Sequence, residues 1–479
     1  MSHHNYKVKK IVKFKNHLLQ DLKSFLLQDN YERHAFLFCN LSISTNSIIF
    51  LVDKIITIND KDIDHSAIHV RIKKELADNI FIDFTNSDYD GFISCHSHPF
   101  ENADVWFSSV DDKNDKYLFS YFYDEIIKYK NKSEMLTMVF GQNTIASRAY
   151  NLNDKTFEEI DNIVSMEYPI KYFAPTNNKK KSFFNNNELF NRQVLAFGEE
   201  GQGLLSSLKV TLVGAGGTGS ILSEALIRLG VKELIIIDHD KLEFSNLNRW
   251  QGGKQEDVEK YKVDIIKDNL SKINNTIKIT TFCKTIYNND VVDYIKDSDV
   301  IIGAIDNNQA RYFLNRFSSA YLIPYLDCST IITADKGKIK DLKIRNVIII
   351  PSVSQCMDCK SLCYDISKLS YALSHNDTKE EAKKRKYIRT EDDIKSPSVY
   401  PINMLSVSNL LLEFMNVFMG YKDSLHQYTV INYIDLEKIG SKDDIKLCWN
   451  KEAPSKQCLT CNDYIALGDK VEISNLFFN

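Results

Sequence analysis

The stretch that most constrains this chain runs from Leu208 to Arg249, LKVTLVGAGGTGSILSEALIRLGVKELIIIDHDKLEFSNLNR. Val210 to Val213 is an apolar run short enough for a buried parallel strand. Gly214, Gly216 and Gly219 follow in G-x-G-x-x-G register, with Gly217 inside the same turn. The first glycine allows a tight turn, the second lets backbone approach a phosphate, and the third lets the next helix pack closely. Ser220 to Leu229 has helical spacing of apolar residues, and Gly230 supplies the stop. Glu233 to Ile237 reads as a second strand, ending in Asp238-His239-Asp240. Asp240 stands about twenty residues past the last glycine, where an acid can hold a ribose hydroxyl.

This much predicts a nucleotide on a Rossmann-like βαβ unit, and a nicotinamide dehydrogenase would fit it as well. The residues beyond the second strand shift the balance. Ser245, Asn246, Asn248, Arg249 and Lys262 are phosphate-binding types, and Asp306-Asn307 follows later. Such donors, with an acid for Mg²⁺, suit in-line attack at a phosphate better than hydride transfer. With GAGGTGS, IDHDKLEFSNLNR, KYKVD and GAIDNNQARYFLN in place, Asn191 to Pro324 closely resembles the E1/ThiF/MoeB family. These enzymes adenylate the C-terminus of ubiquitin-like proteins.

The resemblance implies that Gly214, Gly216, Gly217, Gly219, Asp238 and Asp240 hold ATP. It further implies that Asn246, Arg249 and Lys262 bind phosphates, and that Asp306 helps place Mg²⁺. Arg192, in FNRQVLAFG, would reach the partner's ATP as an arginine finger in a homodimer. None of these is a nucleophile or a base. The attacking group is the substrate's own carboxylate, already ionised at neutral pH, so catalysis is positioning plus charge neutralisation. Asp306 could equally N-cap the helix predicted over Ala310 to Ala320.

The first part of the chain carries different chemistry. Ile11 to Gln28 reads as an amphipathic helix, Glu32 leads into an apolar strand through Cys39, and strands are predicted around Ile48–Ile58 and Ile68–Lys73. In GFISCHSHPFENADVWFSSVDD, Phe92 to His98 has strand character, so His96 and His98 face the same side. Two imidazoles and a nearby Asp can supply the three protein ligands of an open zinc site. Glu32 is the candidate base. A Glu on an early strand, His-Ser-His-Pro and Ser-x-x-Asp together resemble the JAB/JAMM metalloproteases. That resemblance implies Zn²⁺ on His96, His98 and Asp111, oxyanion stabilisation by Ser108, and Glu32 as general acid/base. The doubled Ser108-Ser109 and Asp111-Asp112 leave the register open by one. His34, His65 and His69 lack such a context.

Cys356-x-x-Cys359 and Cys458-x-x-Cys461 can make a closed, structural Cys₄ zinc site, and the E1 family carries a split site of this kind. Tyr428–Ile434 and the helix Val407–Met419 would then be core. E1-like enzymes that pass their substrate onward use a thioester cysteine beyond the first C-x-x-C. Cys363 is the candidate, with Cys328 and Cys448 behind it; the alternative for Cys363 is a spare thiol. Cys39, Cys95 and Cys283 read as buried small apolar residues.

At 479 residues the chain is long enough for about three domains. A formal net charge of −4 gives no hint of nucleic-acid binding, and no uninterrupted apolar run of spanning length stands out. Ten cysteines without an export signal point to reduced thiols and a cytoplasmic protein. The expected fold is α/β. A JAB/MPN-like α+β metalloprotease domain over 1–155 would lead through a linker over 156–187, its Lys/Asn-rich part Ala174–Asn187, to a Rossmann-like ThiF/E1 domain over 188–479. The latter would carry a crossover loop at 360–397 and a zinc-tied C-terminal extension. The expected function joins ATP-dependent adenylation of a ubiquitin-like protein, with a thioester step, to zinc-dependent isopeptidase or precursor cleavage. Partners would be the ubiquitin-like substrate, an E2-like protein and a second copy of the chain, with neither nucleic acid nor membrane. Fusions of this sort resemble bacterial conjugation systems, some of which serve in antiviral defence. The rivals are sulfur transfer to a carrier protein, adenylation of a small molecule or peptide, and an inactive scaffold that binds without turnover.

Overall fold

The computed structural model describes residues 8–66, 69–100, 104–173, 188–360, 362, 397–425, 428–435, 445–448, 453–472 and 476. The chain divides into two compact units, the first built from its N-terminal third with Ala320–Leu322 and Ala466–Lys470.

The first unit is organised on a mixed nine-stranded sheet. Its strands are β1 (Lys9–Phe14), β2 (His34–Ile43), β3 (Ser47–Thr57), β6 (Gly91–Ser97), β7 (Glu134–Phe140), β8 (Ile145–Asn151), β9 (Thr156–Glu159), β10 (Asn162–Ser165) and β11 (Lys171–Phe173). They lie in the order β11-β10-β1-β3-β2-β6-β7-β8-β9. A separate hairpin pairs β4 (Ile63–Ser66) with β5 (His69–Ile72). Helix α1 (Leu18–Leu26) covers one face; α2 (Lys74–Asn86) and α3 (Ser109–Tyr121) lie on the other. Strand β2 shows why both faces need cover. Ala35, Leu37, Cys39 and Leu41 join the α1 side, whereas Phe36 and Phe38 join Phe84, Phe92 and Phe119 opposite. A strand buried on both faces reads as a continuous apolar run. Truncating Phe92 in that aromatic layer would cost about 3–5 kcal/mol.

Two expectations change here. The helix predicted from Ile11 is strand until Phe14, because Ile11-Val12-Lys13-Phe14 is β-branched and aromatic and fills a slot between β3 and β10. His17, at φ 68°, separates it from α1. The linker predicted from 156 is sheet as far as Phe173, since β9, β10 and β11 complete both edges. Short strands at sheet edges bury too little to show a period. The remainder of that segment, Ala174–Asn187, lies outside the described residues.

The second unit is an eight-stranded sheet in the order β14-β13-β12-β15-β16-β17-β18-β19. Strands β12 (Lys209–Val213), β13 (Glu233–Ile237), β14 (Lys278–Phe282), β15 (Val300–Gly303) and β16 (Tyr325–Asp335) are parallel. Strands β17 (Lys338–Ile349), β18 (Tyr428–Asp435) and β19 (Ile445–Cys448) continue antiparallel. The α-helices of the unit are α4 (Asn191–Leu205), α5 (Gly217–Leu229), α6 (Lys262–Ser271), α7 (Asn289–Ile295), α8 (Asn308–Tyr321), α9 (Tyr400–Met419) and the short α10 (Leu459–Asn462) among the described residues. The chain leaves β12 for β13 on one side and later returns to β15 on the other. The crevice beyond the carboxyl end of β12 is therefore a topological switch point, where such sheets bind ligands.

Among the described residues one helix, α9, is long and apolar enough to cross a membrane. It is a core helix instead, packed on α5, β16 and β17. It buries Asn403, Ser406, Glu413 and Asn416 beside Leu410 and Phe414. Lipid would leave those polar groups unmet. Here Asn346 Nδ2 donates to the Ser406 carbonyl at 2.9 Å, and Lys422 pairs with Glu413 at 2.5 Å.

Candidate functional site

The crevice at β12 is built from backbone. Gly214 takes φ +98°, and a Cβ there would collide with the Ala304 carbonyl. A Cβ on Gly219 would strike the carbonyl of Gly214, so α5 starts this close to β12 only because Gly219 lacks a side chain. Gly216 is different: a Cβ there would meet nothing within 4 Å, so its backbone borders open space. Asp238 secures the turn, Oδ2 accepting from Ala215 N at 2.6 Å and Oδ1 from Asp240 N at 2.7 Å. Trp250, which the sequence reading passed over, is buried and donates Nε1–H to the Ala215 carbonyl at 2.7 Å. A buried indole N–H needs such a partner, and an isolated Trp next to Asn-Arg was the available signal.

Around this turn, Asp240 is exposed and Oδ2 accepts from the buried Lys262 Nζ at 2.8 Å. Arg249 is half-buried to exposed over the turn and donates Nη1 to the Ser245 carbonyl at 2.7 Å and Asn248 Oδ1 at 3.1 Å. Asn246 Oδ1 accepts from Glu243 N at 3.2 Å. On the other side of β12, Ala304 N donates to the Val213 carbonyl at 2.8 Å, which brings the turn after β15 to the crevice. The cap of α8 is Asn307, whose Oδ1 accepts from Gln309 N at 2.8 Å and Ala310 N at 3.3 Å. Asp306 is therefore not the cap, and its exposed carboxylate makes no hydrogen bond among the described residues. Arg311 holds this turn from beneath, bonding the Ile305 carbonyl and, at 2.9 Å, the fully buried Asp327. Arg192 is exposed on α4, which kinks at Phe197 and Gly198.

The two C-x-x-C pairs meet. Cys356 and Cys458 Sγ atoms are 3.5 Å apart, Cys359 and Cys461 3.6 Å, and Cys356 and Cys359 3.8 Å. These separations exceed the ~2.05 Å of a disulfide. They match the ~3.8 Å edge of a sulfur tetrahedron with metal–sulfur distances of ~2.3 Å. Thr460 Oγ1 donates to Asp358, which ties the two segments side by side, and Asn315 Oδ1 accepts from Met357 N at 3.0 Å, which fastens the first segment to α8. The four thiols fit a zinc ion with no position left over.

A third convergence lies in the first unit. The rings of His96 and His98 are 5.1 Å apart at the end of β6. His96 Nε2 is 3.2 Å from Asp111 Oδ1, and His98 Nε2 is 3.5 Å from Asp111 Oδ2. One donor atom from each of the three falls within 4.8 Å of the others. The 3.2 Å contact lacks hydrogen-bond geometry, which leaves His96 Nε2 buried without a hydrogen bond. A buried polar atom of this kind is what a metal ion would complete. These three donors fit an open zinc site.

Buried Glu32 stands beside them, Oε1 3.9 Å from His98 Nε2. Ser97 Oγ accepts from Arg33 N at 3.0 Å, aligning the start of β2 with the two histidines. Burial would raise the Asp111 carboxyl, but His96, His98 and the Ser108 N–H outweigh it and hold it well below the usual carboxylate range. Ser108 caps α3 in a reciprocal box: its Oγ accepts from Asp111 N at 3.2 Å, and Asp111 Oδ2 accepts from Ser108 N at 2.6 Å. Asp111 faces the histidines, whereas Asp112 pairs with Arg148 at 2.6 Å.

Of the remaining cysteines, Cys363 lies outside the described residues, as does the side chain of Cys448. Cys328 is buried, and burial pushes its thiol up to about 12 despite a hydrogen bond with Ser406. Cys39 and Cys95 are buried as expected. Cys283 is not: it is exposed, because it lies just past the carboxyl end of β14 rather than within the strand.

Comparison with known proteins bears on the second unit. Sulfur carrier protein ThiS adenylyltransferase of Bacillus subtilis is 31% identical over 141 residues, 29% of this chain and 42% of that protein. SAMP-activating enzyme E1 of Haloferax volcanii is 35% identical over 118 residues, 25% of this chain and 44% of that protein. The chain thus spans less than half the length of these curated relatives. A solved structure, E. coli MccB with MccA-N7isoASN, is 21% identical with a TM-score of 0.46, covering 58% of this chain and 76% of that one. The ThiF family pattern matches residues 190–441, more than half of the sequence, and the chain belongs to the ThiF family.

Proposed function

We propose that this ThiF-family chain activates the C-terminal carboxylate of a ubiquitin-like protein with ATP and Mg²⁺, and that its first unit is a JAB/JAMM-type zinc isopeptidase acting on the same protein. One observation carries the adenylation half: the glycine turn, open at Gly216, abuts at Gly214 the turn after β15, whose Asp306 carboxylate is not spent on capping α8. Backbone N–H groups at the start of α5 suit phosphate oxygens. Arg249 and Lys262 would supply positive charge to the phosphates, and Asp240 would hold a ribose hydroxyl. Asp306 would hold Mg²⁺, and Arg192 of a second copy would complete the phosphate site in a homodimer. The substrate carboxylate then attacks the α-phosphorus and pyrophosphate leaves.

For the hydrolytic half, zinc on His96, His98 and Asp111 would supply Lewis acidity and a nucleophilic water near neutral pH. Glu32 is placed to take that water's proton and return it to the leaving amine. Ser108 stands at the same edge for the oxyanion. A second zinc on Cys356, Cys359, Cys458 and Cys461 is structural. Reduced thiols suit the cytoplasm, and an E2-like protein would accept a thioester formed on Cys363.

A second reading, sulfur transfer to a carrier protein, is favoured by relatives such as the ThiS adenylyltransferase; a peptide or small molecule would be a third substrate. The test is a trapping assay with Mg-ATP and soluble proteins of the source cell, resolved on non-reducing gels. Wild type is compared with Cys363→Ser and Asp306→Ala, each in a Glu32→Ala background. A thiol-sensitive adduct lost in both variants is expected. A protein adenylate without an adduct would move sulfur transfer ahead, and AMP release without any protein partner would sink both readings.

A further inference from the structure

Arg148, on β8, is buried beside the three-donor site and none of the chemistry above uses it. Its guanidinium carbon lies 3.7 Å from the ring centres of both Phe107 and Phe157. Its edge is spent on two carboxylates of α3. Nη1 reaches Asp112 Oδ1 at 2.6 Å, while Nη2 and Nε reach Asp115 Oδ2 at 2.6 and 3.0 Å. Thr137 Oγ1 adds a donor to Asp115 at 2.8 Å. Asp112 directly follows Asp111, and Asp115 lies one turn further on, so holding both fixes the rotation of α3 about its axis. That rotation decides where Asp111 points. The aromatic contact acts on another donor: Phe107 meets His96 edge-on, ring centres 6.3 Å apart. One side chain therefore braces the elements that carry two of the three donors.

We infer that Arg148 is a positioning residue that sets the zinc affinity of the His96–His98–Asp111 site, an inference that rests on reading those donors as a zinc site. A flat, forked cation is required, since both faces and three donors are used; lysine keeps the charge but offers neither the plane nor the fork. Outer partners of metal ligands typically change affinity about 10- to 100-fold when lost.

The experiment is zinc competition against a chromophoric chelator on the full chain, with thermal unfolding of each zinc-free protein alongside. Wild type, Arg148→Lys, Asp112→Asn and His98→Ala are compared. His98→Ala should lose the weaker zinc and keep the thiol-bound one. Arg148→Lys should weaken that same zinc about 10- to 100-fold, with the thiol-bound zinc unchanged. Asp112→Asn, at a half-exposed position, should move affinity the same way by a smaller factor while its unfolding midpoint stays at the wild-type value. If Arg148→Lys does not fold, Asp112→Asn decides alone. Wild-type affinity in the folded variants overturns the inference while leaving the zinc site standing. If His98→Ala binds as much zinc as wild type, the zinc reading itself falls.

Discussion

The cysteine quartet and the histidine–aspartate trio both gather donors at metal spacing, yet they are built in opposite ways. The quartet joins two C-x-x-C segments separated by 102 residues, and its four sulfurs close the coordination shell. The carboxylate within the first segment, Asp358, accepts from Thr460 Oγ1. The trio draws on a strand end and a helix first turn, stops at three donors, and has Glu32 3.9 Å from one of them. The closed set suits holding chain segments together; the set with a missing donor and an adjacent carboxylate suits chemistry. Donor count and neighbouring base, rather than metal identity, separate the two.

The contrast can be broken at several points. The largest expected effect is on the closed set: Cys458→Ser should release its zinc and lower the stability of the second unit by roughly 5 kcal/mol or more, read by unfolding with and without chelator. Equal stability would strip the quartet of its structural role. Next comes Glu32→Gln, expected to cut isopeptide hydrolysis about 10²- to 10⁴-fold while zinc content stays constant. Loss of zinc together with activity would make Glu32 a ligand and the trio a closed set too. Asp306→Ala should reduce AMP formation about 10²- to 10³-fold and leave hydrolysis untouched; a fall in both would mean the two chemistries are not separable. The smallest effect is one of pH. Zinc on the trio should be released as the solution is acidified, because protons compete with the metal for imidazole nitrogens. Asp111, held well below the usual carboxylate range, resists protonation. Zinc release at the same pH in wild type and His98→Ala would remove that histidine from the ligand set.

Much of this was legible in the sequence, but unevenly. Gly214 and Gly219 announced the β12–α5 turn because a Cβ at either position would strike a backbone carbonyl. His96 and His98 were readable from a period of two on a strand. The choice between Asp111 and Asp112 was not, since it depends on Arg148, which arrives from a strand beyond the helix that carries both. Asn307 displaced Asp306 as the helix cap for a similar reason: either fits the sequence rule, and only the path of the turn after β15 selects one. The short strands β9 to β11 left little trace because three or four residues cannot display a period. Trp250 was visible and went unused, for its partner is a backbone carbonyl that no motif records.

The quartet has one more consequence, for how freely the chain between its halves can change. A metal held by the quartet would link residues 102 apart as a cross-link does, and closing so long a loop is worth about 4.7 kcal/mol on a chain-entropy account. That quantity grows only with the logarithm of loop length, so doubling the enclosed segment alters it by about 0.6 kcal/mol. Insertions and deletions between Cys359 and Cys458 that spare β18, β19 and α9 therefore leave the fold nearly as stable as before. The sulfur clasp makes this interval of the gene a place where length can drift, and new recognition can be tried, without first solving a folding problem.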